Sequence, residues 1–381
     1  MTGGNVGQDG ILRGGWQPPP ACQGRAQGAP PIGRSLQSYP TILLLVLLAL
    51  SGCSRYADFS LPPVSGGDPD MTFAFEAQAE PVLTPGDGWE SHDVLNPSVV
   101  SRSQPRSLLN FYSGFDGRTW RTGLAASDDG THWQKQGVIL SPDPRTWEGS
   151  YIAANGAALW YENQFWYWYQ AGPREKPRIG LARAVDTASE PRTSESGGHW
   201  RKEPSPVLDP GPYASWDECA VADPYVIRIE PYFYLFYLGQ DRARRQRLGV
   251  ARSTDGVRWE KLRANPILEL GAPGAFDETG LGEPAVWHSH GFYWMLYTGR
   301  DTTETRRLGL ARSTDGVHWR RLPVVFTGNQ PWDAKVICDP TVEVAAGVIR
   351  VWFGGGDVAS PDENLHGQIG MAILRPVRTT R

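Results

Sequence analysis

The chain repeats one short pattern five times, and this repetition constrains its fold more than any other feature. Each repeat opens with an aromatic residue followed by an acid: Trp89-Glu90, Trp147-Glu148, Trp216-Asp217, Phe276-Asp277 and Trp332-Asp333. In four repeats a polar residue and a proline follow seven and eight residues after the aromatic: Asn96-Pro97, Asp223-Pro224, Glu283-Pro284 and Asp339-Pro340. The second repeat has Ala154-Asn155-Gly156 instead. Openings spaced roughly 55 to 70 residues apart indicate an array of similar structural units.

Each repeat predicts four short strands. In the fourth repeat the apolar runs PAVWH, FYWMLYTG and RLGLARS are followed by an Asp-Gly turn and the run VHWRRL. The turn recurs as SDDGTHW (127–133), STDGVRW (253–259) and STDGVHW (313–319). Asp-Gly between alternating runs favours a type I′ hairpin, in which both central residues have positive φ. Four antiparallel strands, repeated along the chain, predict the blades of a β-propeller.

The fifth repeat ends after its third strand, and the start of the chain offers the missing one. Residues 72–83 (TFAFEAQAEPVL) end in the PVL that also occurs, as PVL or PIL, ahead of Trp216 and Phe276. We therefore expect an all-β, five-bladed β-propeller in which this segment completes the last blade and removes the free sheet edges. The expected domain covers 72–376, with blades at about 89–141, 147–209, 216–270, 276–327 and 332–376 plus 72–83; residues 377–381 form a tail.

Composition and the N-terminal region set the cellular context. The 381 residues carry a formal charge of −4 and no basic block, which argues against a nucleic-acid partner. The apolar run TILLLVLLAL (41–50) is too short to span a bilayer as a helix. It leads into Leu50-Ser51-Gly52-Cys53, which resembles the lipobox of bacterial lipoproteins; an ordinary signal peptide and a buried hydrophobic segment are the alternatives.

The lipobox resemblance implies lipidation of Cys53 and an envelope location. Residue 54 is Ser, which by the same resemblance favours the outer membrane, and the lipid would be the only contact with the bilayer. Residues 1–53 are then a leader, of which 1–38 reflect a start assigned too far upstream, and 54–71 are a linker. Cys219 and Cys338 remain in the domain; a disulfide between them is conceivable but not indicated, and no zinc spacing occurs.

The polar residues before the prolines are the candidate site. Proline fits the first residue of a strand and holds the preceding residue extended. We therefore expect the pre-proline side chains to surround the mouth of the channel as a ring of Asn96, Ala154, Asp223, Glu283 and Asp339. Three converging carboxylates raise one another's pKa, as a general acid near neutral pH requires. The alternative is that each acid only binds neighbouring backbone N–H groups.

With this ring, the chain resembles the five-bladed propeller glycoside hydrolases, the clan of arabinanases, β-xylosidases, invertases and levansucrases, over roughly residues 72–376. The resemblance implies that Glu283 is the general acid and that Asp223 orients it and tunes its pKa. In the clan an aspartate on the first blade is the base or nucleophile, but this chain has Asn96, and Asn96-Pro97 is similar to the mannoside phosphorylases. Three explanations stay open: Asp339 or Asp93 is the base, phosphate replaces the activated water, or the protein binds sugar without cleaving it.

Arginine-rich loops form a second candidate feature. The loops between second and third strands read GQDRARRQRLG (239–249) in the third repeat and GRDTTETRRLG (299–309) in the fourth. Because arginine pairs with carboxylate or phosphate, this rim favours an anionic sugar or phosphate, with solvated loop charges as the alternative. We expect substrate contacts from Asn96, Asp93, Asn155, Arg242 and Arg300. No cofactor is predicted, although the resemblance allows a structural calcium ion.

These features predict a glycoside hydrolase that cleaves an oligo- or polysaccharide by acid/base catalysis, with single displacement expected and Glu283, Asp223 and Asp339 as catalytic residues. A non-catalytic carbohydrate-binding lipoprotein and a phosphate-dependent phosphorylase are the alternatives, because a fold alone does not establish an activity. A sialidase is a weaker alternative. Its Asp-box resembles S-x-D-G-x-x-W, but the spacing is one residue short and there are five repeats rather than six.

Overall fold

The computed structural model describes residues 55–103, 106–185 and 200–378, and this part of the chain is almost entirely β-structure. Two 3₁₀ helices, Gly88–Glu90 and Pro331–Asp333, interrupt the strands. No helix in these ranges is long and apolar enough to cross a membrane. The lipidation predicted for Cys53 and the leader before it fall outside the described residues.

The strands group into five consecutive blades. Blade 1 contains β3 (Asp93–Ser103), β4 (Arg106–Phe115), β5 (Trp120–Ser127) and β6 (Gln134–Leu140). Blade 2 contains β7 (Ile152–Tyr161), β8 (Gln164–Ala171), β9 (Arg178–Val185) and β10 (Arg201–Lys202). Blade 3 contains β11 (Ala220–Ile229), β12 (Tyr232–Gln240), β13 (Gln246–Ser253) and β14 (Glu260–Leu262). Blade 4 contains β15 (Gly280–Ser289), β16 (Phe292–Arg300), β17 (Arg306–Ser313) and β18 (Arg320–Phe326).

Blade 5 takes its outermost strand from the start of the domain. It contains β19 (Val336–Ala345), β20 (Val348–Gly356), β21 (Gln368–Arg378) and β2 (Met71–Ala77), while the short β1 (Tyr56–Ala57) runs parallel to β14. β2 pairs antiparallel with β21, from Met71 opposite Arg378 to Ala77 opposite Ala372. The N-terminal segment therefore supplies the fourth strand of the last blade, as the repeat pattern predicts.

Blades 1 and 5 pack against each other. Leu83, Leu108, Trp352 and Ile369 belong to one buried cluster that contains residues of both blades. The indole N–H of Trp352 in blade 5 donates to the Gly130 carbonyl in the last turn of blade 1, at 2.7 Å. In blade 2 the indole N–H of Trp168 makes the same bond to Gly256 of blade 3, at 2.8 Å. Large aromatic residues thus join neighbouring blades, a structural role.

In four of the five blades, the acid of the opening pair connects strands of its own blade. In blades 1 to 4 it is buried and accepts hydrogen bonds from a tyrosine of the second strand and a lysine or arginine of the fourth. The sets are Glu90–Tyr112–Lys135, Glu148–Tyr169–Lys202, Asp217–Tyr237–Lys261 and Asp277–Tyr297–Arg321. Each set anchors the outer strand to the inner end of the blade, which explains why the aromatic-acid pair recurs.

The Asp-Gly turns are not type I′ turns. Gly130, Gly256 and Gly316 have φ of 86°, 69° and 72°, but the aspartates before them do not have positive φ. In blade 3, Asp255 instead accepts hydrogen bonds from the N–H groups of Val257 (3.0 Å) and Arg258 (2.8 Å). The expected turn type is wrong because an aspartate side chain can cap the turn itself, so only the glycine needs the left-handed conformation.

Candidate active site

A β-bulge at the same place in every inner strand builds the site. The register between the first and second strands shifts after Leu95, Ala154, Ala222, Gly282 and Cys338. The residue that follows has a positive φ in all five blades: Asn96 49°, Asn155 48°, Asp223 48°, Glu283 43° and Asp339 51°. Such angles are uncommon for residues other than glycine and cluster at functional sites.

Two expectations about the prolines are therefore wrong. The residue before proline is left-handed rather than extended, and the proline lies inside the inner strand rather than at its first residue. A bulge accommodates both, because its extra residue is left out of the ladder and forfeits no hydrogen bond. Blade 2 forms the same bulge with Asn155-Gly156 and no proline. The bulge, rather than the proline, sets the direction of these side chains.

Asn155, not Ala154, is the blade 2 member of the ring. Ala154 is fully buried in the apolar cluster that contains Leu95 and Trp120. Asn155 has the positive φ and lines the central cavity. The spacing of seven residues indicates Ala154 instead, because blade 2 has one more residue between its opening aromatic, Trp147, and its bulge than the other blades have.

The five ring residues line one cavity of about 960 Å³ at the end of the propeller where the inner strands begin. Gly280, at the start of β15, pairs with Arg300 at the end of β16 and with Gln246 at the start of β13. The loops between second and third strands therefore rise on the same face as the ring, and they form the cavity walls. The volume suits a small ligand or the end of a larger one.

The surroundings of Asp223 in the ring strongly raise its pKa. Burial raises its pKa well above the ordinary range, and the nearby charges of Glu283 and Asp339 raise it further. A hydrogen bond from the Asn155 side chain and the charge of Arg306 act in the opposite direction. Because the raising effects dominate, the pKa of Asp223 lies well above that of an exposed aspartate, and the surroundings favour its neutral form.

Asp339 lies against a buried thiol. The Cys338 Sγ donates to Asp339 Oδ2 at 3.0 Å, and burial raises the thiol pKa so that the group stays protonated. Burial and the charge of Glu283 raise the pKa of Asp339 to about 7, against the effects of Cys338, Arg306 and the Asn96 backbone N–H. Asp339 therefore exchanges its proton in the physiological pH range. Cys338 is a free thiol, which excludes a disulfide with Cys219.

Glu283 has an oxygen without a partner. Its Oε2 atom is buried and accepts no hydrogen bond among the described residues, although the side chain as a whole lines the cavity. A buried acceptor without a donor costs free energy, and such exceptions in native proteins are commonly explained by function. Glu283 Oε2 is thus available to accept a hydrogen bond from a ligand in the cavity or to donate one to it.

Asp93 does not face the cavity, so the prediction that it is a base or a substrate contact is wrong. It is fully buried and accepts backbone hydrogen bonds from Asn364 (2.6 Å), Leu365 (3.0 Å) and Gly367 (2.7 Å). Asp93 stands at the first position of its strand, three residues before the bulge, and it fixes the blade 5 loop of residues 357–367, here called the strap.

The structure divides the arginines of the rim into two groups. Arg242, Arg244, Arg300 and Arg306 line the cavity. Arg245 and Arg247 pair with Asp241 (2.7 and 2.9 Å), and Arg307 pairs with Asp301 (3.0 Å). Arg174, which the sequence analysis did not single out, also lines the cavity. It lies in the blade 2 loop between second and third strands, so the reasoning applied to blades 3 and 4 would have found it.

Metal ligands are not apparent at the site. Within the described ranges, no group of three or more His, Cys, Asp and Glu side chains is arranged to hold a metal ion. The proposals that follow therefore use no metal ion.

Comparisons with known proteins place this site in context. The family model described as glycosyl hydrolases family 32 N-terminal domain matches residues 110–266 and 216–345. An uncharacterized protein of Mycobacterium tuberculosis (strain CDC 1551 / Oshkosh) is 30% identical over 234 residues, which cover 58% of this chain and 75% of that protein. The 1,2-beta-oligomannan phosphorylase of Thermoanaerobacter sp. (strain X514) is 30% identical over 140 residues, 33% of this chain and 45% of that enzyme.

Solved structures share the fold at low identity. A glycoside hydrolase superposes with a TM-score of 0.63 at 18% identity and covers 90% of this chain and 97% of its own. A structure from the GH130 family of mannoside phosphorylases, which contains glycoside hydrolases that target beta-1,2 mannosidic linkages in Candida mannan, gives a TM-score of 0.58 at 18% identity, over 83% of this chain and 96% of its own. At these identities the likeness establishes the β-propeller architecture alone.

Proposed function

The chain belongs to the family of the glycosyl hydrolases family 32 N-terminal domain, and from this premise we propose that its cavity cleaves a glycosidic bond in an oligo- or polysaccharide. One observation carries the proposal: three blades each place a carboxyl group, Asp223, Glu283 and Asp339, on the wall of the same cavity. The raised pKa values of Asp223 and Asp339 support it, because neighbouring carboxyl groups with perturbed pKa values can act as acid and base.

Burial and like charges raise the pKa of Asp223 well above its ordinary range and raise that of Asp339 to about 7. The cluster therefore holds a proton near pH 7 that can reach the leaving group. We assign the transfer to Glu283, whose longer side chain and unpartnered Oε2 suit contact with the glycosidic oxygen. The raised pKa of Asp223 favours its neutral form, which lessens the repulsion between Asp223 and the charge left on Glu283 after the transfer.

Hydrolysis also requires a proton acceptor. Glu283 donates its proton to the leaving-group oxygen as the bond to the anomeric carbon breaks, and a water molecule attacks that carbon. The water gives a proton to the Asp339 carboxylate, which is ionised in about half of the molecules near its pKa of about 7. Asp339 takes this role because blade 1 contributes Asn96, an amide that does not ionise, and Asp93 is fully engaged by the strap.

The test is a glycan hydrolysis screen with the Glu283→Gln variant. We expect turnover of at least one oligosaccharide series by the native chain, a loss of turnover of 100-fold or more (on the order of the usual contribution of a general acid) in Glu283→Gln, and unchanged affinity. Glu260→Gln, which alters an exposed glutamate on the outer strand of blade 3, is the matched control and should retain full turnover. If the native chain binds an oligosaccharide but turns over none, the proposed enzyme activity is wrong and the protein is a carbohydrate-binding protein.

A phosphorylase is the second candidate, and the arginines on the cavity wall favour it. Arg174, Arg300 and Arg306 bring three cations to a site that has no blade 1 carboxylate, and one relative is a 1,2-beta-oligomannan phosphorylase. In this reaction a phosphate oxygen attacks the anomeric carbon while Glu283 protonates the leaving oxygen, and a sugar 1-phosphate forms. Repeating the screen with and without inorganic phosphate separates the two reactions, because only phosphorolysis depends on phosphate and gives the phosphorylated sugar.

A further inference from the structure

We propose that the cavity takes a sugar chain by one end, and that the rest of the chain leaves across blade 3, where Tyr213 supports the sugar rings outside the cavity. The inference rests on the proposed function for the identity of the ligand, a carbohydrate. It goes beyond that function in three respects: the cavity binds the end of the sugar chain, the rest of the chain extends across blade 3, and Tyr213 binds sugars outside the carboxylate cluster.

The strap closes one side of the cavity mouth. Arg174 of blade 2 forms ion pairs with two strap residues, Asp362 (3.1 Å) and Glu363 (3.0 Å). The Tyr151 hydroxyl, also of blade 2, donates to Glu363 at 2.8 Å, and the Arg174 guanidinium lies 5.5 Å from the centre of the Tyr151 ring. These contacts hold a blade 5 loop against blade 2, and so they bridge the mouth over blade 1.

The strap is fixed at further points. The Pro361 carbonyl accepts hydrogen bonds from Arg300 (3.2 Å) and from the buried Arg306 of blade 4. Asp93 of blade 1 binds three backbone N–H groups at the other end of the strap. Residues 360–364 line the cavity. A polysaccharide could pass through this side only after several ion pairs and hydrogen bonds had broken, so the closed side accepts a chain end.

The rim of blade 3, unlike the side closed by the strap, is open and carries an exposed aromatic residue. Tyr213 is 77% exposed and is the most exposed large hydrophobic residue in the described part of the chain. The Arg242 guanidinium, whose side chain lines the cavity, lies over one face of the Tyr213 ring, 4.3 Å from its centre. Arg242 is held in turn by Glu218 at 2.9 Å. The ring therefore continues the cavity wall outward, with one face covered and the other face free for a ligand.

The loop does not need Tyr213 for its own conformation. Glu218 accepts the backbone N–H of Ala214 (2.9 Å), which has a φ of 66°. In blade 4 the corresponding bond joins Gly274 to Glu278 (2.8 Å), with Pro273 in place of the tyrosine. Because the same turn forms without an aromatic residue, the exposed ring has no structural task in the loop.

An aromatic face held in place suits a sugar ring. One face of a pyranose presents C–H groups, which pack on the electron-rich face of an aromatic ring, and a residue that is already immobilised loses little entropy on binding. A ring at the rim contacts a sugar beyond those inside the cavity. Tyr213 should therefore contribute to binding of longer oligosaccharides and not to binding of a disaccharide.

Binding measurements on the Glu283→Gln background test the rim without cleavage of the probes. The probes are β-1,2-mannan, arabinan, xylan and fructan oligosaccharides of two to six sugars, titrated by calorimetry. We expect Tyr213→Ala to weaken binding of four- to six-sugar chains roughly two- to tenfold and to leave disaccharide binding unchanged, while Tyr213→Trp retains affinity. Trp160→Ala, which removes an aromatic residue 37% exposed at the opposite end of the blades, is the control and should change nothing.

A second comparison tests the chain-end part. The longest oligosaccharide that binds is compared with the same chain carrying a bulky group on the terminal sugar at each end. We expect the protein with its native strap not to bind the capped chain. The Arg174→Ala/Glu363→Ala variant, in which the strap is released, should regain part of the affinity for the capped chain. Equal binding of capped and uncapped chains, equal effects of Tyr213→Ala at every length, or no binding of any series would overturn the inference. These experiments measure affinity, whereas the proposed function is tested by turnover. The two proposals can therefore fail independently.

Discussion

The Asn155 side chain donates a hydrogen bond to the carboxylate of Asp223, and the two residues hold equivalent bulge positions on adjacent blades. Asn155 Oδ1 accepts from the Ser113 hydroxyl at 3.0 Å, and the same hydroxyl oxygen accepts the Asn155 backbone N–H at 3.0 Å. The amide group is therefore oriented with its NH₂ toward Asp223. Blade 2 thus contributes a neutral donor to a ring in which blades 3 to 5 contribute acids.

Asn155→Asp should move the pH dependence of catalysis upward. A fourth carboxylate replaces a hydrogen-bond donor with a negative charge beside Asp223, and like charges raise one another's pKa. We expect the pH profile of kcat/KM to shift by roughly one unit toward alkaline pH. The control is Ser113→Ala, which frees the amide but adds no charge and should lower kcat without that shift. An unchanged profile in Asn155→Asp would mean that blade 2 does not couple to the carboxylates.

Cys338 should set the pH at which Asp339 becomes available as a base. Its S–H group donates to Oδ2 at 3.0 Å and thereby favours the ionised carboxylate. Cys338→Ala removes this donor, so the pKa of Asp339 rises above about 7, and we expect the acid limb of kcat/KM to move up by roughly 0.5–1 pH unit. Cys338→Ser retains a donor and should restore the profile. Identical profiles for Ala and Ser would show that the thiol acts only by packing.

Stability should fall as the pH rises toward neutrality. An aspartate has a pKa near 3.9 in an unfolded chain, whereas that of Asp339 is raised to about 7 in the folded protein. Between about pH 4 and pH 7 the folded state binds more protons than the unfolded state, so the free energy of unfolding decreases with increasing pH in this window. Asp339→Asn removes the ionised carboxylate and should therefore raise Tm at pH 8 but have little effect at pH 4.

The matched substitution Asp93→Asn should lower the stability of the protein, whereas Asp339→Asn should raise it at pH 8. Asp93 accepts three backbone hydrogen bonds from the strap, so Asp93→Asn introduces an amide where acceptors are required and weakens this attachment. We expect roughly 1–3 kcal/mol lower stability for Asp93→Asn and a gain of similar size for Asp339→Asn at pH 8. Thermal unfolding of both variants at pH 4 and pH 8 measures these differences. Equal losses in both would show that Asp339 supports the fold rather than chemistry.

The repeat pattern predicts the blades because each strand has a signal of its own. The apolar runs of β11, β12 and β13 and the turns between them can be recognised in a single blade, and the recurrence of Trp216-Asp217 in other blades confirms their order. The fourth strand of blade 5, β2, could be inferred from the truncated fifth repeat together with the PVL run that ends residues 72–83. The individual strands and turns are local features, so the chain encodes them within short segments.

The site depends on features that are not local. The left-handed angle of Asp223 arises from a bulge relative to its partner strand, and nothing in the Asp-Pro dipeptide indicates a bulge. Asp93 looked like a candidate base because it stands close to Asn96 in sequence, but its partners lie more than 270 residues away in the strap. The role of a carboxylate is decided by the donors around it, and here those donors come from another blade.

Removal of one partner of the buried ion pair between Asp217 and Lys261 should strongly destabilise the protein. The two atoms Oδ2 and Nζ are 2.5 Å apart, and the side chains are 0% and 5% exposed. Lys261→Met leaves Asp217 with the hydroxyl groups of Tyr237 and Ser215 and no cation, and breaking a buried pair in this way costs about 3–5 kcal/mol. Urea unfolding of the variant measures this loss.

Two further variants decide whether the loss comes from the unpaired charge. In blade 1 the corresponding Lys135 is 28% exposed, so water can replace part of its interaction with Glu90, and Lys135→Met should cost only about 1 kcal/mol. Asp217→Asn/Lys261→Met removes both charges and should recover a large part of the stability lost in Lys261→Met, because no uncompensated carboxylate remains. If the double variant is instead less stable than Lys261→Met, the lysine stabilises blade 3 through packing of its aliphatic chain and not through its charge.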